Sequence, residues 1–316
     1  MADRKFRLVT RSDFDGLVCA VLFKELNLID DILFVHPKDM QDGVVDVCEW
    51  DITTNLPYVP GVHLAFDHHF SETLRNDVVH PNHVIDPDAP SAARVVYDFY
   101  GGRERFPHIG EDMIQAVDQA DSARYDLEEV LEPSGWALLN FLMDPRTGLG
   151  RFRTFRISNY QLMMELIDYC RDHTVDQILK LPDVAERVEL YFDQQHLFKQ
   201  QIERIAKVDG DVVLLDLREE NIIHAGNRFM IYAMFPEATV SVHRIWGRAK
   251  LNTVFAVGKS IFDKSNPVNI GELMLHYGGG GHQNAGTCQV CHETADEVER
   301  ELLRSLQKSA AESAAA

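Results

Sequence analysis

The chain has 316 residues, 45% hydrophobic and 26% charged, with 31 basic against 50 acidic side chains and a formal net charge of −19. Its length exceeds one ordinary compact core, so two domains are expected. Its acidity repels polyanions at long range, which argues against duplex DNA as a partner and leaves room for a small phosphorylated substrate. No apolar stretch approaches the roughly 20 residues of a membrane span. MADRKFRLVT lacks the apolar core of a signal peptide. No membrane partner is therefore expected, and the cytoplasm, with the five cysteines reduced, is the expected compartment.

Phe6–Thr10 reads as a buried strand and Gly16–Leu26 as the helix after it. Ile32–His36, Val44–Glu49 and Val62–Phe66 are further strand candidates, and Ala92–Tyr100 and Glu111–Ala120 read as helices. This alternation points to a parallel sheet with helices on both faces, whose ligands gather at the carboxyl ends of the strands. TRSDFDG at Thr10–Gly16, then Asp51, then Asp67, His68 and His69 each follow an expected strand.

Ser158 and Gln161 form an expected capping box for a helix running to about Asp172. Asp183–Lys207 is a polar helical stretch without Pro or Gly, expected to connect two domains. Beyond Gly210 the strand candidates are Val212–Asp216, Met230–Phe235, Thr239–Arg244 and Thr253–Val257. The small residues of Ser309–Ala316 are expected to fray.

Three places carry chemistry. Asp13 and Asp15 can aim two carboxylates inward from one turn, as a divalent cation requires. Asp67 and His68 add a carboxylate and an imidazole, a mixture that suits Mn²⁺ better than a purely hard Mg²⁺ cage. Asp51 and Asp121 are two further acidic candidates, with Asp118 competing for the place of Asp121. In GGGGHQNAG, Gly278–Gly286, the glycines let backbone amides approach an anion and His282 can donate to it.

With TRSDFDG, the Asp67-His68-His69 triplet and GGGGHQNAG in this order, the chain resembles the DHH/DHHA1 phosphoesterase family. Its segments FVHPKDMQDG and DITTNLPYVPG resemble the exopolyphosphatase-like branch, close to the nanoRNase-like one. The resemblance implies an α/β protein of two domains: a parallel-sheet DHH domain over 1–182, a helical linker over 183–207 and a smaller α/β DHHA1 domain over 208–316. It implies a metal site at Asp13, Asp15, Asp51, Asp67, His68 and Asp121, holding one or two Mn²⁺ ions, with Mg²⁺ as the alternative. Asp67, His68 and His69 are its implied catalytic residues, His69 orienting the leaving group. Arg11, His243, Arg244, Gly279, Gly280, Gly281 and His282 are its implied substrate-binding residues, in domains that close on one substrate. In this chemistry paired cations about 3.5–4 Å apart activate a water in line with phosphorus.

One departure stands out. Family members commonly carry a histidine two or four residues before the first aspartate, where this chain has Arg11 and Val9. His36 and His63 are weak substitutes, and Arg11 could turn its guanidinium to a substrate phosphate. Arg146, Arg151, Arg153 and Arg156 could line one face of an extended segment and track a chain of phosphates. Cys288-Gln-Val-Cys291-His292 matches a c-type haem spacing but reads better as a strand with alternate residues buried. Phe229, Tyr232 and Trp246 could stack on a base, although strand aromatics are more often core.

The expected function is a metal-dependent phosphohydrolase for a small linear phosphoester or phosphoanhydride: a short oligonucleotide, a nucleoside bisphosphate or polyphosphate. The alternative is a catalytically weak or inactive nucleotide-binding regulator of the same fold. A homodimer is one arrangement the chain could adopt.

Overall fold

Strand β1, Phe6–Arg11, lies inside a five-stranded parallel sheet with β2 (Ile29–Val35), β3 (Asp51–Thr54), β4 (Leu64–Asp67) and β5 (His83–Ile85), in the order β2-β1-β3-β4-β5. The computed structural model describes residues 4–75 and 78–314. This sheet belongs to the first of two compact units, Met1–Tyr125 with Pro133–Tyr191; the second comprises Asp126–Glu132 with Phe192–Ala316. The helix Pro182–Ile205 runs from the first unit into the second, and its Arg187 is fully buried among first-unit residues. No helix among the described residues is long and apolar enough to cross a membrane.

Leu8, Val9 and Thr10 of β1 are all inaccessible to solvent, the continuous burial of a strand covered on both faces. Helix α1, Phe14–Glu25, follows immediately and is buried from Phe14 to Phe23. It packs against the helices Ala92–Phe99, Glu111–Asp121 and Asn159–Asp172. Ser158 caps the last of these by accepting from the Gln161 amide.

Two expected strands are not strands. Val44–Glu49 is irregular, and the third strand is Asp51–Thr54 instead. Val45 and Val47 of that segment serve as partial cover for the apolar cluster of Val9, Met40 and Leu56. Met230–Met234 is a helix with Met230, Ile231 and Tyr232 all buried; a short run of consecutive apolar residues does not distinguish the two by period.

The second unit is built on a six-stranded mixed sheet. Its strands are β6 (Ala206–Asp209), β7 (Val212–Asp216), β8 (Val240–Trp246), β9 (Thr253–Lys259), β10 (Gly280–His282) and β11 (Ala285–Val290), in the order β10-β11-β9-β8-β7-β6. Only β7 and β8 pair in parallel. Val240, Val242, Phe255, Val257 and Cys288 pack against Ile270 and Met274 of one helix and Val298, Leu302 and Leu306 of another. Cys288 is buried within β11 and Cys291 exposed beyond it. The second of these helices, Ala295–Ala314, takes in most of the tail expected to fray; residues 315–316 of that tail lie outside the described residues.

Candidate metal centre

Parallel pairing brings the carboxyl ends of β1, β3 and β4 to one edge of the first sheet, with Asp13 just after β1 and Asp67 closing β4. Asp13 caps α1, its Oδ1 accepting from the Gly16 amide at 3.0 Å. A Cβ at Gly16 would lie 2.0 Å from the Arg11 carbonyl oxygen, so only glycine lets the chain turn this tightly from strand into helix.

Asp15 sits in the first turn of α1 with 2% of its surface exposed. Its oxygens accept from the amides of Ala92 at 3.0 Å and Ala93 at 2.7 Å. These are the leading amides of the helix Ala92–Phe99, where the helix dipole favours a negative charge. Ser91 caps that helix and donates its hydroxyl to Asp118 Oδ1 at 2.8 Å, and Arg94 Nε donates to Asp118 Oδ2 at 3.0 Å. Asp118 is thereby committed to positioning the helix.

Asp121, one turn later, reaches His68 instead. His68 Nε2 lies 2.9 Å from Asp121 Oδ2 and 4.0 Å from Asp15 Oδ2. Its Nδ1 lies 3.2 Å from the Ala89 carbonyl oxygen. A carbonyl only accepts, so Nδ1 carries a proton; Nε2, facing the two carboxylates, donates to Asp121 while it is protonated and offers a lone pair to a cation once that proton is lost. One ligand atom from each of Asp15, His68 and Asp121 falls within 4.8 Å of the others.

Asp67, at the end of β4, is fully buried. Its Oδ1 accepts from the His68 amide at 2.9 Å and from His69 Nδ1 at 2.7 Å, and its Oδ2 is buried with no hydrogen-bond partner. Burial works against its charge, yet His69 and His68 hold its pKa below the usual carboxylate range. Burial and the charge of Asp121 push Asp15 the other way, up to about 8. Burial also opposes charge on His68, but Asp121, through its hydrogen bond and charge, raises the imidazole to about 10. Crowded buried acids and an orphaned carboxylate oxygen are expensive without a compensating cation. Two carboxylates and an imidazole are also a donor set for Mn²⁺ or Mg²⁺. The residues therefore fit a divalent ion.

Asp51 does not join them. It opens β3 rather than closing it, pairs in register with Arg7, and gives its carboxylate to Arg7 Nε at 2.7 Å, Arg7 Nη2 at 2.9 Å and the Cys48 amide at 2.7 Å. The residue after the carboxyl end of β3 is Asn55, whose Nδ2 donates to Asp13 at 3.2 and 3.4 Å. Arg11 Nε is 2.9 Å from Asp13 Oδ2. His36 caps a short helix and His63 stacks on Phe6, both away from the acids. Sequence reasoning missed Asn55 and the Ala92 and Ala93 amides; the Ser91 cap ahead of an apolar helix was the one available sign of the latter.

The arginine run is not extended. It comprises two short 3₁₀ turns, Pro145–Thr147 and Leu149–Arg151, followed by irregular chain. Arg156 is paired with Asp183. Arg146 is half-exposed and bonded to Asp144; against its partial burial, Asp144 and the fields of Asp13 and Asp121 raise its pKa. A cavity of about 170 Å³ opens beside Ser12, walled by Leu139, Leu142, Met143, Leu162, Met163 and Leu166, with Asp144 and Asn159 at polar points.

In the second unit, β10 folds back on β11 with Gly280 opposite Thr287 and His282 opposite Ala285. A Cβ at Gly279 would lie 2.0 Å from the Thr287 oxygen, and one at Gly281 would lie 2.2 Å from the Ala285 oxygen. The glycines are thus required by the hairpin itself. Ser241 and His243 share one face of β8, where Ser241 Oγ meets Tyr232 Oη at 2.8 Å. Arg244 points to the other face, 5% exposed, and pairs with Asp296 and Glu299 of the helix Ala295–Ala314. The expectation that Arg244 faces substrate is corrected by this pairing, since adjacent strand residues face opposite ways. Phe229 and Tyr232 are buried, and Trp246 donates to the Arg218 carbonyl; these aromatics serve the core.

The chain is similar to a solved pGpG-specific phosphodiesterase, PggH, from Vibrio cholerae, at 60% identity over 96% of this chain and 100% of that one, with a TM-score of 0.78. It also shares its fold with RecJ from Thermus thermophilus in complex with Mn²⁺, at 13% identity over 96% of this chain and 52% of that one, with a TM-score of 0.50. No family model and no curated protein matches the chain.

Proposed function

The chain belongs to the DHH/DHHA1 phosphoesterase family, and from that premise we propose that it is a metal-dependent phosphodiesterase that hydrolyses a short linear oligonucleotide of the pGpG kind. The observation that carries this reading is the convergence of Asp15, His68 and Asp121 beside the buried, orphaned Asp67 Oδ2. A bound Mn²⁺ or Mg²⁺ supplies an acidified water and charge neutralisation at phosphorus.

The chain's own residues do the rest. The Ala92 and Ala93 amides fix Asp15, and the Ala89 carbonyl fixes the His68 tautomer, so the ligand atoms are preorganised. His69 donates its Nδ1–H to Asp67; as an imidazolium it would pass the proton on Nε2 to the sugar oxygen as the P–O ester bond breaks, with Asp67 stabilising its charge. Arg146, in the field of Asp13 and Asp121, offers a guanidinium to a non-bridging phosphate oxygen. His243, His282 and the hairpin amides are the proposed anion-binding groups of the second unit.

The relative's printed substrate supports a dinucleotide over polyphosphate. The cavity beside Ser12 supports the same choice, because its leucine and methionine walls suit a nucleobase, while the one cation among the described residues of its lining, Arg187, is already bonded to Glu186, Asn159 and backbone carbonyls. The test is chromatography of pGpG incubated with purified protein and Mn²⁺. Conversion of each pGpG and one water into two GMP is expected, with polyphosphate left intact. Release of orthophosphate from polyphosphate, with pGpG unchanged, would contradict the reading.

A further inference from the structure

The carboxylate of Asp13 is already engaged by two N–H donors and a guanidinium. The Gly16 amide and Asn55 Nδ2 reach Oδ1 at 3.0 and 3.2 Å, and Arg11 Nε reaches Oδ2 at 2.9 Å. Two of these donors come from side chains that face Asp13 where further acids would be needed for a second cation. Arg11 lies two residues before Asp13, and Asn55 follows the carboxyl end of β3, while the acid of that segment, Asp51, is bonded to Arg7 at the opposite end of the strand. Asn55 is 1% exposed and sits in left-handed backbone with φ of 55°, a conformation that asparagine tolerates well. Its amide is therefore a built feature of the turn.

Asp15, His68 and Asp121 form a separate set in which an imidazole lone pair and two carboxylates converge within 4.8 Å. The asymmetry is chemical. One side of the centre offers an imidazole and two carboxylates; on the other the carboxylate of Asp13 faces a permanently charged guanidinium and the neutral amide of Asn55, whose buried Oδ1 is no substitute for a second acid. A second divalent ion beside Asp13 would have to displace both donors and sit against a fixed positive charge.

We infer that this centre binds a single divalent cation, at Asp15, His68 and Asp121, and that the Arg11 guanidinium supplies the positive charge on the Asp13 side. This rests on the phosphodiesterase reading for its chemical purpose but concerns only the number and place of the ions. Arg11 then does for a developing phosphate charge what a second ion does elsewhere, through directed donors that need no loading.

The experiment is metal stoichiometry on the full chain. Protein dialysed against saturating Mn²⁺ is analysed by inductively coupled plasma mass spectrometry and by electron paramagnetic resonance, and a portion of the same sample is assayed on pGpG. One Mn²⁺ per chain with the spectrum of an isolated ion is expected. The double variant Arg11→His, Asn55→Asp is expected to rise to two, with the spectrum of a coupled pair. Two ions in the unaltered chain would overturn the inference, as would none, and a folded double variant that stays at one would overturn the role given to Arg11 and Asn55. Should the variant fail to fold, the count in the unaltered chain still decides. Hydrolysis with two ions bound would leave the phosphodiesterase reading standing; one bound ion without hydrolysis would remove that reading and leave the single-ion centre.

Discussion

His68 Nε2 and Asp121 Oδ2 lie 2.9 Å apart, while the other ring nitrogen, Nδ1, is turned to the Ala89 carbonyl. The backbone thus fixes the proton on Nδ1, and the acid at the end of the helix Glu111–Asp121 faces the nitrogen that a cation would take once its proton is lost. Asp118, one turn earlier, is held by Ser91 and Arg94. Substitution at the two positions should therefore separate. Asp121→Asn is expected to lower Mn²⁺ affinity about 10–100-fold with little change in melting temperature. Asp118→Asn should destabilise the fold by about 1–3 kcal/mol, because Arg94 loses its partner. Isothermal titration beside thermal melts distinguishes them; equal metal loss in both would show that Asp118 takes part in binding.

Cation binding should depend on pH. A proton on Asp15 or on His68 Nε2 occupies the lone pair a cation needs. Burial and Asp121 push Asp15 up to about 8, and Asp121 and Asp15 outweigh burial to raise His68 to about 10. Both groups hold their protons to higher pH than usual, so Mn²⁺ affinity should climb as pH rises toward 8 and beyond, with protons released on binding. Titration calorimetry in two buffers of different ionisation enthalpy measures that release. A flat affinity from about pH 6 to 9, with no buffer dependence, contradicts the assignment.

Asp51 should behave as a structural acid. Its pKa is held below the usual range, burial opposing the charge and Arg7 with the Cys48 amide overcoming it. The stability it contributes is present above the unfolded pKa of about 4 and is lost as pH falls through the lower folded value. Asp51→Ala is expected to cost about 2 kcal/mol in urea unfolding, discounted because Arg7 keeps a third of its side chain exposed. Metal stoichiometry should be unchanged. A lost metal ion in a folded Asp51→Ala protein would return Asp51 to the centre.

Arg244 and His243 should also part company. Arg244→Ala leaves Glu299 without its cation beneath the helix Ala295–Ala314, and a loss of about 2 kcal/mol is expected. His243→Ala should instead raise KM for a dinucleotide in a protein that still folds. If His243→Ala melts lower and binds equally well, the proposed anion site in the second unit is wrong.

Much of this was legible in the chain. Asp13, Asp15, Asp67 and His68 follow strands β1 and β4 closely, and a parallel sheet gathers such residues at one edge whatever its details. Asp51 was misplaced because Val44–Val47 carries as many β-branched residues as the four-residue strand that forms and is the more apolar of the two, and a strand's start and end look alike in sequence. Asn55 left no signal, since its importance comes from bonding Asp13, 42 positions earlier in the chain. Arg244 was expected beside His243 in substrate binding; that it turns to acids 52 and 55 residues away is a tertiary fact the local sequence does not carry.

The most direct measurement of the central claim is Mn²⁺-dependent turnover of pGpG by the purified chain, compared with Asp15→Asn under the same conditions. The account expects GMP from the unaltered protein, none above background without added metal, and a fall of about 1,000-fold or more in the variant. Equal turnover by the Asp15→Asn protein, or turnover undiminished by chelation, would contradict the claim that the Asp15, His68 and Asp121 centre carries out the reaction.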